Sequence, residues 1–175
     1  MRASFTSLLT LTLASLSLAA PVLENHLSNR FSKRAIEQGW EIHDLEAFQS
    51  SANSAYWGYI EFTIVDKSPG LELSMSCSQV FKPGESITGG PYACNPSAEA
   101  QSVRFEYYPD RFKVQRSYQD CDVGGFVTSF GEAALATETE TQPDWNVAWQ
   151  DLVEVPATSI ISTAFPPGFK PDCQA

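Results

Sequence analysis

Positive charge is what this chain has least of. Eleven Lys and Arg stand against 21 Asp and Glu in 175 residues, for a formal charge of −10. So acidic a chain is repelled by nucleic-acid phosphates and by anionic membrane surfaces, which argues against both as partners. Histidine is nearly as scarce: His26 and His43 are the only two, and no G-x-S-x-G motif accompanies them. Nucleophilic hydrolysis needs a base beside its nucleophile, so a Ser–His site has almost nothing to be built from. The four cysteines include no C-x-x-C pair, so no zinc pattern is present. No N-x-S/T sequon occurs, because Asn95 precedes Pro96 and Asn53 precedes Ser54-Ala55. No segment keeps a 3.6-residue apolar period with caps, and there is no internal repeat.

What is present begins with a leader. Met1-Arg2 is followed by an apolar run, Leu8 to Ala20, that ends in small residues. This is the layout of a secretory signal peptide whose apolar run is too short to span a bilayer. Cleavage is expected after Ala19, with small residues at Ser17 and Ala19. A polar stretch then reaches the dibasic pair Lys33-Arg34, which reads as a processing site or, more plainly, as a charged pair in a tail. The expected organisation is a signal peptide at 1–19, a pro-peptide at 20–34 and one domain at 35–175. That domain carries a formal charge of −13 and His43 as its one histidine. The expected localisation is extracellular.

Cys77, Cys94, Cys121 and Cys173 form an even set in an oxidising compartment, which implies two disulfides and leaves three pairings open. The favoured set is Cys77–Cys94, across a Gly/Pro-rich loop, with Cys121–Cys173, which would tie the C-terminal tail to the body.

The body reads as strands between turns. Trp40, Ile42 and Asp44 alternate with Glu41 and His43. Tyr56 to Val65 is aromatic and β-branched, with Ile60, Phe62 and Ile64 on one face and Trp57, Tyr59, Glu61 and Thr63 on the other. Across a five-residue turn at Asp66–Gly70, Leu71 to Cys77 alternates cleanly and completes a hairpin. Lys82 to Pro96 reads mostly as loop. Val103–Tyr107 and Phe112–Gln115 make a second hairpin, whose outward face is expected to carry Arg104, Arg111, Lys113 and Arg116. Gly125–Ala136 and Trp145–Val155 are further strand candidates, and Thr137–Asp144 reads as an exposed acidic loop. The fold class is all-β: one antiparallel β-barrel or sandwich stapled by two disulfides.

Functional candidates compete with plain structural readings. Glu61, Glu72 and Glu106 could supply the paired carboxylates of a hydrolase acting on a cell-wall glycan, but glutamates on a solvent face look the same. Trp57 with Tyr59 forms a candidate aromatic ligand face. Tyr107/Tyr108 and Trp145/Trp149 are similar pairs, yet most of these rings are expected in the core. The acidic segment Glu138–Asp144 lacks the spacing and glycine of a calcium loop. No cofactor is expected. Arg104, Arg111, Lys113 and Arg116 reverse the sign of charge locally, and are the candidate partner-binding set or a structural counterweight to neighbouring acids.

Trp40-Glu41-Ile42, the strand Tyr59 to Asp66, a strand ending at Cys77, the Tyr92-Ala93-Cys94 triplet and the strand Val103–Glu106 together resemble the fungal family named after the major Alternaria allergen. The resemblance covers roughly residues 40–115. It implies a compact β-barrel, a Cys77–Cys94 disulfide and no catalytic residues. It further implies a non-enzymatic secreted allergen, elicitor or effector with a part in virulence, whose partner is an extracellular host protein or a small ligand. The founding allergen joins two chains through a cysteine near its mature N-terminus. Here no cysteine precedes Cys77, which puts a disulfide-linked dimer in doubt.

Overall fold

The structure, a computed structural model, describes residues 39–68, 71–94, 101–121 and 123–170. The expected signal peptide, the pro-peptide and Cys173 lie outside the described residues. Ten strands follow in order: β1 (Trp40–Ser50), β2 (Gly58–Asp66), β3 (Leu73–Phe81), β4 (Gly89–Cys94), β5 (Gln101–Tyr108), β6 (Arg111–Asp120), β7 (Gly125–Ala134), β8 (Glu138–Gln142), β9 (Trp145–Val155) and β10 (Ala157–Ala164). They form two antiparallel five-stranded sheets, sheet A in the order β3-β2-β1-β9-β8 and sheet B in the order β10-β7-β6-β5-β4. The sheets stay distinct and do not close into a barrel, so of the two all-β architectures the sequence allows, the chain adopts the sandwich.

Alternation decides what each sheet buries. Ile42, Ile60, Phe62 and Ile64 turn inward from sheet A, and Val103, Phe105, Phe112 and Val114 from sheet B. Phe62 joins the layers, meeting Phe105 and Phe112 edge-on at centroid distances of 4.9 and 5.1 Å. The alternation of β1 slips once. Asp44 takes φ 54°, a left-handed conformation that Asp tolerates better than most residues, and the β1–β2 register shifts between His43 and Glu46. Leu45 and Ala47 then face the core, and the strand runs six residues past the expected Asp44.

Three segments depart from expectation. Gly89–Cys94, read as loop, pairs with β5 because Tyr92 and Cys94 pack inward despite the flanking glycines. The acidic loop is strand β8, paired with β9 at the edge of sheet A with all five residues exposed. A charged edge strand of this kind resists further strand pairing. Ala157–Ala164, for which no strand was expected, continues β9 past Pro156 and crosses into sheet B against β7. Gly131 makes room for that corner: a Cβ there would lie 2.6 Å from the Pro156 carbonyl oxygen and 2.7 Å from the Trp40 ring.

Two covalent or charged links cross the sandwich. Cys77 of β3 and Cys94 of β4 are disulfide-bonded, joining sheet A to sheet B. Cys121 is also disulfide-bonded, and its expected partner Cys173 lies outside the described residues. At the end of β2, Asp66 Oδ2 accepts hydrogen bonds from Trp40 Nε1 at 3.0 Å and from the Arg116 guanidinium of β6, and Oδ1 accepts from the Ser68 amide at 2.8 Å. The tail after β10 is held by rings: Phe165 and Phe169 pack on Phe126 at 5.1 Å each.

Replacing Cys77 with Ser is expected to cost about 2–5 kcal/mol, the usual loss for a native disulfide in a secreted domain. Equilibrium urea unfolding of the variant and the oxidised parent checks this. Non-reduced peptide mapping that joined Cys77 to Cys121 would contradict the pairing outright.

Candidate functional site

The β5–β6 hairpin lies in the middle of sheet B. Odd positions on β6 point outward and even positions inward, so Arg111, Lys113 and Gln115 face solvent while Phe112, Val114 and Arg116 are buried. This corrects the expected placement of Arg116, which is 0% exposed and paired with Asp66 instead of sharing the outer face. The alternation that fixes Phe112 and Val114 as core positions carries Arg116 inward with them, where Asp66 balances its charge.

The other three cations differ in their partners. Lys113 Nζ sits 3.5 Å from Glu106 Oε2 and 4.0 Å from Glu132 Oε2, its cross-strand neighbours. The Arg111 guanidinium lies 4.5 Å from the Tyr108 ring centroid. Arg104 forms no ion pair among the described residues. It lines a groove of about 290 Å³ on the outer face of sheet B, with Gln115, Phe130, Thr158 and Ser159 on the walls beside the Lys113, Glu106 and Glu132 cluster. The register explains the gathering: Arg104 is opposite Gln115, Gln115 opposite Phe130, and Phe130 opposite Ser159.

The aromatic candidates are on the other sheet. Tyr59 occupies the outer face of β2, where its ring stacks on Phe48 at 5.3 Å and 9° and its hydroxyl donates to Glu46. Burial, then the hydrogen bond to Glu46, then the charges of Glu46 and Glu61, push its phenol well above the usual range. Trp57 immediately precedes β2 and is 56% exposed. Trp145 extends the stack, 5.5 Å from Phe48. Of the three aromatic pairs, Tyr107 alone is a core residue; Trp57, Tyr59, Tyr108, Trp145 and Trp149 are exposed or half-buried. The expectation that most of these rings form the core fails because alternation, not ring size, selects the inward positions. Sequence reasoning missed Phe48, since the first strand was read to stop at Asp44. The alternation of Leu45 and Ala47 with Glu46 and Phe48 could have found it.

The carboxylates weighed for hydrolysis do not converge. Glu61 is on the outer face of sheet A, Glu106 on the outer face of sheet B, and Glu72 precedes β3. His43 Nε2 lies 3.0 Å from Glu41 Oε2 on the same face of β1. Glu41 is held below the usual carboxylate range by hydrogen bonds from Lys67 and then from His43. Among the described residues, no group of three or more His, Cys, Asp and Glu is placed to hold a metal ion.

No family model matches the chain, and no curated protein matches it. Among solved structures, two crystal structures of the Alternaria alternata major allergen Alt a 1 are similar to it. One is 13% identical with a TM-score of 0.47, covering 71% of this chain and 88% of that one. The other is 12% identical with a TM-score of 0.45, covering 73% and 95%. Both represent the family that the motifs of residues 40–115 resemble.

Proposed function

We propose that the chain is a secreted, non-catalytic binding protein of the allergen- and effector-like kind, and that it engages an acidic segment of an extracellular host protein in the groove of sheet B. The observation that carries this reading is Arg104. It is the one cation of the hairpin without a partner charge or ring among the described residues, and it stands beside Phe130 in a groove whose walls also carry hydroxyls, an amide and the Lys113 ammonium, which offsets Glu106 and Glu132. A carboxylate reaching Arg104 would gain a bidentate, charge-assisted contact, while the chain flanking it would cover Phe130. The leader at Leu8–Ala20 and the inter-sheet disulfide support an extracellular setting.

Charge reversal tests this. Arg104→Glu is expected to weaken binding to an array of acidic peptides by about tenfold or more, the scale of one charge-assisted hydrogen bond. Its melting temperature should stay at the parent value, because Arg104 is exposed. Lys113→Glu should act differently, lowering stability by placing three acids together and affecting binding less. Unchanged peptide affinity in Arg104→Glu would remove the groove from consideration.

A further inference from the structure

The two sheets divide the charge of the molecule. Strands β1, β2, β3, β8 and β9 of sheet A hold nine Asp and Glu and no Lys or Arg, whereas Arg104, Arg111, Lys113 and Arg116 all belong to sheet B. The outer face of sheet A also carries a run of apolar and aromatic side chains. Register aligns Val80, Tyr59, Phe48 and Val147 in one row across four strands, ending at Glu140. The adjacent row runs Glu61, Glu46, Trp149 and Glu138. Val80 is 54% exposed at the edge of the first row. A face shaped only for solubility would carry the acids without the rings. One shaped only by hydrophobic contact would not set carboxylates beside every ring.

We propose that this face docks a basic segment of a partner protein, with its aliphatic and aromatic groups on the Val80–Val147 row and its Lys or Arg side chains between that row and the carboxylates. The reading is independent of the groove on sheet B and has the opposite charge preference. Charge complementarity selects the occupant. A second copy docked face to face would set Glu46, Glu61, Glu138 and Glu140 against the same residues, a like-charge contact. A second copy presenting sheet B would bring one unengaged cation, Arg104, against several carboxylates, since Lys113, Arg111 and Arg116 are already engaged within that sheet or with Asp66. A foreign cation meets both kinds of group at once, because an ammonium or guanidinium is drawn to aromatic faces as well as to carboxylates.

The test is an NMR titration of the purified protein with an extended peptide alternating arginine and leucine. Shifts are expected at the Phe48, Tyr59 and Glu61 amides and at the Trp145 and Trp149 indoles, and affinity should fall with added salt. Glu61 and Glu140 are exposed and make no contact with the core, so the double variant Glu61→Lys/Glu140→Lys should fold and should lose affinity by about tenfold or more. Glu61→Gln, a milder change, should lose several-fold. Phe48→Ser should weaken binding as well. If it does not, or if oligo-arginine without leucine binds as tightly, the attraction is charge alone and the docking face is wrong. Chitosan oligomers shifting these resonances while the peptide does not would overturn the proposal in favour of a polycationic glycan. Shifts confined to sheet B would overturn it and leave the groove reading standing. Unchanged acidic-peptide affinity in Arg104→Glu with sheet A binding intact would do the reverse.

Discussion

Asp66→Ala is expected to destabilise the fold by about 3–5 kcal/mol, the cost of stranding one member of a buried ion pair. Asp66 is 5% exposed and Arg116 is 0% exposed. Removing the carboxylate leaves a guanidinium inside the sandwich and takes away the acceptor of Trp40 Nε1. Arg116→Met should cost less. Asp66 would still accept hydrogen bonds from Trp40 and the Ser68 amide, and the methionine chain would fill much of the vacated volume. The double variant Asp66→Ala/Arg116→Met should be more stable than Asp66→Ala, because no unpaired charge remains. Urea unfolding of the four proteins gives the coupling directly. If Asp66→Ala fell within about 1 kcal/mol of the parent, the carboxylate would not be the clamp between the layers.

That pair marks where the sequence could be read and where it could not. The inward faces of β2, β3, β5 and most of β6 follow from strict alternation, and Ile60, Phe62 and Ile64 are buried as their spacing requires. Arg116 follows the same rule. Reading it as solvent-facing put the cost of burying a charge ahead of the alternation, and only the fold reveals that Asp66 offsets that cost from the opposite sheet. Strand β8 was hidden for a related reason. Thr, Glu and Gln alternate with no apolar residue, so an exposed edge strand and a loop have the same composition. Strand β4 was hidden by Gly89, Gly90 and Pro91, residues that usually mark turns. The groove was half legible. Arg104, Arg111 and Lys113 stood out as a reversal of charge, but Phe130, Thr158 and Ser159 reach it only through the β6–β7 and β7–β10 pairings, which no local pattern specifies. The aromatic row of sheet A depends in the same way on the single slip at Asp44.

Phe62→Ala is expected to cost about 3–5 kcal/mol, the upper range for a core aromatic. Phe62 is 4% exposed and is the ring of sheet A that packs edge-on against both Phe105 and Phe112, which themselves stack at 5.8 Å. Truncation therefore removes transfer free energy and two ring–ring contacts, and it opens a cavity between layers that strand hydrogen bonds hold apart. Strands on either side cannot collapse into that space without breaking the β1–β2 and β2–β3 ladders, so little of the loss is recovered. Phe62→Leu restores most of the volume and gives up mainly the two edge-to-face pairs, each worth about 0.5–1.5 kcal/mol beyond area. It should fall well short of the alanine loss. Phe126→Ala provides the contrast: its ring is half-buried beneath Phe165 and Phe169 on the outer face of sheet B, where the tail can settle into the gap. Its cost should be the smallest of the three. Thermal and urea unfolding should give the order Phe62→Ala, Phe62→Leu, Phe126→Ala from most to least destabilised. A larger loss for Phe126→Ala than for Phe62→Ala would mean that the tail, rather than the interface between the sheets, holds the sandwich together.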